Sequence, residues 1–357
     1  MDALTTPLPK DWQKVRLGDI LTLKHGRDYK NFKLGNIPVY GSGGYMLSIN
    51  NFLHNGESVC IGRKGTIDKP IYLNGKFWVV DTLFYSYSFK KSIPKFIFYA
   101  FSIIKWSNYN EATGVPSLTK MTISNIEIPL PPLNEQAAIA NVLSDVDRYL
   151  YNLDALILKK ESVKKALSFE LLSQRKRLKG FNQAWQRVRL GDITHYLTSN
   201  LSVEQITQQG KIKVYDVNNF IGYTDTTFIS DKPYISIVKD GSVGRVRILP
   251  PKTNILSTMG ALIANHRTTT EFLFYLLSNF DFKNFTSGSI IPHIYFKDYK
   301  EKTIFLPPLN EQSAIANILS ALDNEIASLK NKKRQFENIK KALNHDLMSA
   351  KIRVLKK

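Results

Sequence analysis

Two stretches of the chain carry apolar residues at alternating steps of four and three, which is the pattern of a coiled-coil seam. They follow residues 134 and 310, and no Pro or Gly interrupts residues 134–179. About 40 helical residues would reach roughly 60 Å. The seam positions are Ile139, Leu143, Val146, Leu150, Leu153 and Ile157 in the first stretch, and Ile315, Leu319, Leu322, Ile326, Leu329, Phe336 and Leu343 in the second.

Asn134 and Asn310 stand at the start of these two stretches. Each follows a di-proline and precedes Glu and Gln. Asparagine is a preferred N-cap, and an acidic group in the first turn suits the helix dipole. We therefore expect each asparagine to cap its helix.

Short apolar runs broken by Gly and Asn precede each helical stretch, over about residues 12–133 and 185–309. One helical pattern interrupts them near residues 94–107, and a matching one lies at residues 270–279. Strand-like runs mixed with one amphipathic helix are typical of a compact α+β domain. We predict one such domain before each long helix.

The chain contains two copies of one unit. The segment Trp-Gln-Lys-Val-Arg-Leu-Gly-Asp-Ile at residues 12–20 recurs with one change at residues 185–193. The segment Leu-Pro-Pro-Leu-Asn-Glu-Gln at residues 130–136 recurs unchanged at residues 306–312. A repeat of this length means that domain and helix were duplicated together.

The duplication predicts the fold class and the architecture. The first long helix leads to the second domain, so a second helix that packs on the first must run antiparallel to it. We expect an α+β fold class with two α+β domains separated by a long antiparallel two-helix coiled coil, and an internal pseudo-two-fold duplication. The domains would lie at opposite ends of the helices and face opposite ways. The predicted segments are residues 1–133, the first domain; 134–180, a central spacer helix; 181–309, the second domain; and 310–357, a C-terminal spacer helix.

Charge narrows the choice of partners. The chain has 49 Lys and Arg against 30 Asp and Glu, a net charge of +19. Such a surplus favours a polyanionic partner, and nucleic acid is the first to consider. The longest apolar runs, residues 96–104 and 272–277, are too short to span a membrane. Cys60 is the only cysteine and residues 1–10 have no apolar stretch of a signal peptide, so we expect a cytoplasmic protein.

Matched glycine-rich turns at residues 61–67 and 238–247 are the first candidates for DNA contact. Turn amides can approach phosphate closely, while Arg and Lys can reach a guanine edge in the major groove. An ordinary solvated hairpin would have the same composition, and this alternative stays open. The candidate residues are Arg63, Lys64, Thr66, Lys239, Ser242, Arg245 and Arg247.

Two further pairs of loops are polar. Residues 40–45 and 215–220 occupy matching places but offer different donors, as expected of loops that read different bases. Residues 113–120 and 287–294 precede the two di-prolines. Tyrosines at a core edge and a surface histidine would explain the same residues without DNA. The candidates here are Ser42, Tyr45, Asn218, Asn219, Ser117, Lys120 and His293.

Motifs of catalysis do not match. No Pro-Pro pair follows Asn or Asp, as the target-base loop of an amino-methyltransferase requires, and no Glu is followed two positions later by Lys, as in common nucleases. The turn at residues 62–66 lacks the spacing of a nucleotide-binding loop. The six histidines have no metal-ligand spacing. We expect neither a catalytic centre nor a metal site.

The two anchor segments and the helices after them resemble the specificity subunits of type I restriction-modification systems, across essentially the whole chain. The resemblance implies that each domain is a target recognition domain for one half of a bipartite double-stranded DNA sequence. The helices would be a spacer and the docking surface for two methyltransferase subunits.

The resemblance also assigns the chemistry to other subunits. S-adenosylmethionine, ATP and Mg²⁺ are expected on the partners, with no cofactor in this chain, in a bacterial or archaeal cytoplasm. Whether restriction subunits join is left open. Docking is expected near Asn134, Glu135, Gln136, Asn310, Glu311 and Gln312. The rival functions are a scaffold that assembles enzymes without reading DNA, and a self-contained nuclease or methyltransferase.

Overall fold

The computed structural model of the protein describes residues 8–355. The first seven residues of the predicted first segment and the last two of the fourth lie outside the described residues. Contacts divide the chain into unit 1, Met1–Asp154 with Asn331–Lys357, and unit 2, Ala155–Lys330. Each unit thus contains one α+β domain and part of each long helix. The predicted division into four segments treats each long helix as separate from the domains, and it stays a prediction.

Unit 1 builds its domain on two four-stranded sheets, one antiparallel and one mixed. One antiparallel sheet has the order β2-β9-β6-β7, a second sheet has the order β4-β3-β8-β5 with β3 and β8 parallel, and β1 pairs with β10. The elements are β1 (Gln13–Arg16), α1 (Leu17–Ile20), β2 (Thr22–His25), β3 (Leu34–Gly41), β4 (Gly44–Ile49), β5 (His54–Asn55), β6 (Ser58–Gly62), β7 (Ile71–Leu73), β8 (Lys76–Val79), β9 (Leu83–Tyr87), α2 (Pro94–Ile103), α3 (Lys120–Asn125) and β10 (Glu127–Leu130).

Unit 2 repeats this plan. Its sheets have the orders β12-β18-β15-β16 and β14-β13-β17, while β11 pairs with β21 and β19 with β20. The elements are β11 (Gln186–Arg189), β12 (Thr194–Thr198), β13 (Ile212–Tyr215), β14 (Phe220–Thr224), β15 (Tyr234–Val238), β16 (Val246–Leu249), β17 (Thr253–Ile255), β18 (Met259–Ala264), α5 (Thr270–Ser278), β19 (Thr286–Ser287), β20 (His293–Ile294), α6 (Phe296–Tyr299) and β21 (Thr303–Leu306).

Helices α2 and α5 are the helical patterns predicted near residues 94–107 and 270–279. Each packs a buried face onto the antiparallel sheet of its own unit. In unit 1, Phe96 and Phe101 join Val59 in the core, and in unit 2, Phe272 joins Ile235. Burial of aromatic faces of this size is the main force that attaches each helix to its sheet. The prediction of two α+β domains is confirmed.

The long helices are α4 (Leu133–Leu172) and α7 (Leu309–Met348), each of 40 residues. In unit 1 the Lys333 ammonium lies 2.7 Å from the Asp154 carboxylate, and Lys340 lies 2.5 Å from Asp147. In these two pairs the residue number rises along α4 as it falls along α7, so the two helices are antiparallel. In unit 2 Lys160 lies 2.8 Å from Glu325 and Lys164 pairs with Asp323, so the helices are antiparallel there too.

The predicted seam faces inward. All thirteen seam positions are buried or half-buried, with Ile139 and Leu143 fully enclosed in unit 1 and Ile315 and Leu319 in unit 2. The fold class is therefore α+β with a long antiparallel helical pair and an internal duplication, as predicted.

The prediction that Asn134 and Asn310 cap the helices is wrong. The helices begin one residue earlier, at Leu133 and Leu309, because the preceding prolines start the turn. The carbonyl of Pro132 already accepts from the amides of residues 135 and 136, both at 3.0 Å. A proline has its φ fixed near the helical value, which suits a helix start.

Candidate nucleic-acid interface

The first glycine-rich turn follows the buried strand β6. A Cβ on Gly62 would lie 1.9 Å from the carbonyl oxygen of Thr66, so only glycine fits there. Gly65 has a φ of 88°, in the left-handed region that favours glycine. With the backbone closed in this way, Arg63 and Lys64 project into solvent. The turn therefore presents two cations on a rigid frame.

The loop before the first di-proline is hydrogen-bonded to this turn. The Gly65 amide donates to the Pro116 carbonyl at 2.8 Å, and the Leu118 amide donates to the Arg63 carbonyl at 2.9 Å. Lys64 and Ser117 thereby form an antiparallel bridge. Two stretches that are separated by about fifty residues in sequence become one surface.

Unit 2 builds the same frame from its own residues. The Gly241 amide donates to the Pro292 carbonyl at 2.9 Å, and the Ile294 amide donates to the Lys239 carbonyl at 2.9 Å. Gly241 has a φ of 83°. The two units thus share a junction in which a cationic turn and a loop are held by equivalent backbone hydrogen bonds, and we call it the turn-loop junction.

The side chains at equivalent places of the junction differ. Unit 1 has Lys64 opposite Ser117, whereas unit 2 has Asp240 opposite His293. Nδ1 of His293 lies 2.6 Å from a carboxylate oxygen of Asp240. Burial raises the pKa of the Tyr196 phenol, and the Asp240 carboxylate adds to the rise. The equivalent position of the junction therefore carries a cation, Lys64, in unit 1 and a carboxylate, Asp240, in unit 2.

Asp240 is a candidate that the sequence reasoning missed. Contact with phosphate or a guanine edge requires cations and hydroxyls, and a carboxylate within the turn does not match that pattern. Its signal was present in the duplication, because Asp240 occupies the position of Lys64. Carboxylates accept hydrogen bonds from the amino group of cytosine. Asp240 is therefore as suitable for base contact as His293, the residue it contacts.

The hairpin tip between β3 and β4 adjoins the junction of unit 1. The Ser42 hydroxyl oxygen lies 3.3 Å from the point where a Cβ of Gly65 would stand. Tyr45 is 62% exposed at the same tip. An open cavity of about 790 Å³ lies here, and its lining includes Asp28, Asp81, Ser42 and Tyr45. The structure thus brings together all three predicted loops of unit 1.

In unit 2 the corresponding loop contacts Arg247. The amides of Asn218 and Asn219 donate to a carboxylate oxygen of Asp216, at 2.8 and 2.6 Å, which forms a tight polar turn. The guanidinium of Arg247 donates to the Asn218 carbonyl at 2.9 Å and lies over the Tyr215 ring, 5.2 Å from its centre. Arg247 therefore positions this loop, while both asparagine side chains stay exposed.

The remaining candidates lie beside the same loops. Lys120 is the first residue of α3, directly after the loop of unit 1, and Thr66 closes the turn. Ser242 and Arg245 are exposed in the turn of unit 2. None of the fourteen candidate DNA-binding residues is buried.

The residues predicted to dock partners have internal contacts. Trp12 donates its indole N–H to the Glu135 carboxylate at 3.0 Å, and Arg353 donates to the same carboxylate at 2.5 and 2.6 Å. Glu135 is only 2% exposed. Glu135 and Asp11 together raise the pKa of Arg353, which keeps it a cation.

Unit 2 repeats this cluster with Trp185, Glu311 and Arg177. The indole N–H lies 2.9 Å and the guanidinium 2.6 Å from one Glu311 carboxylate oxygen. Glu311 is completely buried. The buried glutamates therefore join the start of each domain to the long helices within its unit.

The neighbouring glutamines are also buried and fully bonded. Gln136 accepts from the Ile93 amide at 2.9 Å and donates to the carbonyls of Lys91 and Pro131 at 3.0 and 2.8 Å. Gln312 accepts from the Thr269 amide at 3.0 Å. Of the six residues predicted to dock partners, only Asn134 and Asn310 are exposed, and docking stays a prediction for all six.

Within residues 8–355, no helix is both long and apolar enough to cross a membrane. Over that same range, no three His, Cys, Asp or Glu side chains are grouped so that they could hold a metal ion. Cys60 is buried in β6, and burial raises the pKa of its thiol to about 12. A thiol of that pKa stays protonated and unreactive at neutral pH.

A family model and a curated relative both relate the chain to type I specificity proteins. The family model of the type I restriction modification DNA specificity domain matches residues 9–160 and 182–338. The chain is 25% identical to the type I restriction enzyme MjaVIII specificity subunit of Methanocaldococcus jannaschii, over 97% of this chain and 94% of that protein.

Two solved structures have a similar fold. The S subunit of a type I restriction-modification system from M. genitalium superposes with a TM-score of 0.68 at 20% identity, covering 96% of this chain and 98% of that one. A chain from a structure of type I system assembly and conformational transition gives a TM-score of 0.58 at 15% identity, covering 96% and 99%. Because the family model covers most of its length in two matching copies, the chain belongs to the type I restriction modification DNA specificity family.

Proposed function

We propose that the protein is the sequence-specific DNA-binding subunit of a type I restriction-modification complex. Each α+β domain reads one half of a bipartite duplex target. The observation that supports this most strongly is the turn-loop junction. Its backbone hydrogen bonds are the same in both units, while its side chains change from Lys64 and Ser117 to Asp240 and His293. A constant frame with variable side chains is what two readers of different sequences require.

Affinity comes from charge and selectivity from the loops. Exposed cations at the junction, such as Arg63, Lys64 and Arg245, contact phosphates and set the register on the duplex. The polar side chains beside them meet base edges. With a net charge of +19, binding weakens steeply as salt rises, because each neutralised phosphate releases counterions.

The long helices act as the spacer and as the docking surface for two methyltransferase subunits. Leu133 and Leu309 are 53% and 47% exposed at the first turn of α4 and α7. Asn134 and Asn310 follow them and are also exposed. The next two residues of each helix, a buried Glu and a buried Gln, hold the first turn in place through their contacts with the domain. The duplicated chain offers the same surface twice, which suits two copies of one partner.

The chain itself is non-catalytic and works in the cytoplasm. Methyl transfer from S-adenosylmethionine, and any ATP-dependent and Mg²⁺-dependent cleavage by a restriction subunit, occur on the partners. Extrusion of the target adenine from the duplex also belongs to the methyltransferase. The sequence supports this division, because no Pro-Pro pair follows Asn or Asp and no Glu is followed two positions later by Lys.

The test is a mobility-shift titration of the full chain, alone and with its methyltransferase subunit. The probes are a duplex carrying the genomic methylation target and a scrambled duplex, at low and high salt. We expect preference for the target and weaker binding at high salt. Equal binding to both duplexes, or none, would favour the scaffold. Methylated or cleaved DNA after incubation of the chain alone with S-adenosylmethionine and Mg²⁺ would show that it is an enzyme.

A further inference from the structure

Both units expose an aliphatic side chain at the same point of the turn-loop junction. Val115 is 56% exposed and Ile291 is 55% exposed. Each stands directly before the proline, Pro116 or Pro292, whose carbonyl accepts from the turn. Single exposed aliphatic residues are common on protein surfaces. Their recurrence at one backbone position, between loops that otherwise differ, needs a further cause.

The backbone holds these side chains outward. A residue before proline is restricted to extended conformations, so neither loop can turn its aliphatic residue inward by a simple backbone rotation. In unit 1 the next amide, of Ser117, donates to the Asn110 side chain at 2.9 Å. In unit 2 a Cβ on Gly288 would lie 2.3 Å from the Ile291 carbonyl oxygen, so glycine is required for the loop to close. A rigid projection loses little entropy when it binds.

The surroundings of the two side chains point to DNA rather than to a protein partner. The hydrogen-bonded turn beside Val115 carries Arg63 and Lys64, and the turn beside Ile291 carries Lys239 and Arg245. Cations on such a turn suit phosphates and guanine edges in the major groove. An aliphatic side chain at the centre of this surface would meet base edges. The only apolar group that a base displays there is the C5 methyl of thymine.

We propose that Val115 and Ile291 each contact a thymine methyl group, so that each half-site contains at least one A·T pair whose thymine methyl is recognised. This inference rests on the proposed DNA-reading function and assigns two specificity-determining residues to it. Ile290, which is 93% exposed beside Ile291, extends the aliphatic surface of unit 2.

The test replaces thymine by deoxyuridine, which keeps the base pair and removes only the methyl. The full chain with its methyltransferase subunit is titrated with duplexes carrying the mapped target, with deoxyuridine in one half-site at a time. We expect about fourfold weaker binding per recognised methyl, which corresponds to about 0.8 kcal/mol for one buried methyl group. The Val115→Ser variant should bind the thymine duplex more weakly and should no longer distinguish it from the deoxyuridine duplex in one half-site. Ile291→Ser should do the same for the other half-site only.

Leu34→Ser is the matched control. Leu34 is 83% exposed in unit 1, but it lies at the end of β3 away from the hairpin tip, and its replacement should leave the discrimination intact. Equal affinity of the wild type for thymine and deoxyuridine duplexes would overturn the inference while DNA reading stands. Absence of any sequence preference would remove the proposed function and this inference with it.

Discussion

The indole nitrogen of Trp12 lies 3.0 Å from a carboxylate oxygen of Glu135, in a buried cluster that Arg353 completes. Trp185 and Glu311 repeat this contact in unit 2, with Arg177 in the place of Arg353. The two arginines follow the ends of α4 and α7 at equivalent positions of the duplication. The anchor segments that reveal the duplication are therefore the parts that close each domain onto its helices.

Replacement of Glu135 by Ala should destabilise unit 1. The buried indole N–H of Trp12 would lose its acceptor, which costs about 1–3 kcal/mol, while the Arg353 guanidinium would keep Asp11 as its partner. Denaturant unfolding followed by tryptophan fluorescence measures the loss. Asn134→Ala is the control, because Asn134 is exposed in the same turn and its loss should cost less than about 0.5 kcal/mol. Equal effects of the two variants would contradict the structural role of the cluster.

Removal of the cations at the turn of unit 1 should reduce the salt dependence of DNA binding. We expect Arg63→Ala and Lys64→Ala each to lower the slope of log K against log salt by about one if the side chain contacts a phosphate. The slope is measured by fluorescence anisotropy at several salt concentrations. Lys14→Ala removes a cation that is paired with Glu127 at 2.8 Å and should leave the slope unchanged. An unchanged slope in the turn variants would exclude these residues as phosphate contacts.

Replacement of Asp240 by Ala should alter the sequence preference of unit 2 alone. The change removes a carboxylate acceptor and frees Nδ1 of His293, which lies 2.6 Å from it. We expect relaxed selection at one or two base pairs of one half-site, with the other half-site unchanged. Ser117→Ala, which removes a hydroxyl from the junction of unit 1, should affect the opposite half-site. Methylation sequencing of cells that express each variant gives the readout, and a change in the same half-site for both variants would refute the assignment.

The fold could be predicted from the sequence because its signals are local or repeated. The seam of α4 and α7 follows from spacing, and the helices α2 and α5 follow from amphipathic patterns. The duplication then required an antiparallel pairing of the helices. The candidate nucleic-acid interface could be predicted only in part. The hydrogen bond between the Gly65 amide and the Pro116 carbonyl joins residues that are far apart in sequence, and no local pattern links them.

The error in the N-cap prediction has a physical cause of the same kind. Asn134 was predicted as an N-cap because asparagine is a preferred residue there. The first helical hydrogen bonds are instead accepted by the Pro132 carbonyl, two residues earlier. Glu135 and Gln136 lie in the segment predicted to dock partners, and tertiary contacts with Trp12 and Ile93 bury both side chains. The sequence beside a di-proline does not indicate whether its polar side chains will form hydrogen bonds with water or with other parts of the protein. That depends on the packing of the whole unit.

Matched shortening of the two helices should move the half-sites closer together. Within unit 2, residues 157–163 of α4 and residues 324–330 of α7 face one another in the register set by the Lys164–Asp323 pair. Deleting both segments removes one heptad from each helix and shortens it by about 10 Å. If the helices hold the domains apart as the sequence predicts, the gap in the target should shrink by about three base pairs at about 3.4 Å each. Deletion from α4 alone should disrupt the seam, and an unchanged gap in the matched variant would reject the spacer function.

The proposal that two domains read two half-sites is tested most directly by mapping methylated adenines in the host genome before and after deletion of this gene. We predict one motif made of two specific parts separated by a gap of fixed length and free sequence, and we predict that its methylation disappears in the deletion strain. A single continuous motif, or a bipartite motif that stays methylated without this protein, would contradict the account.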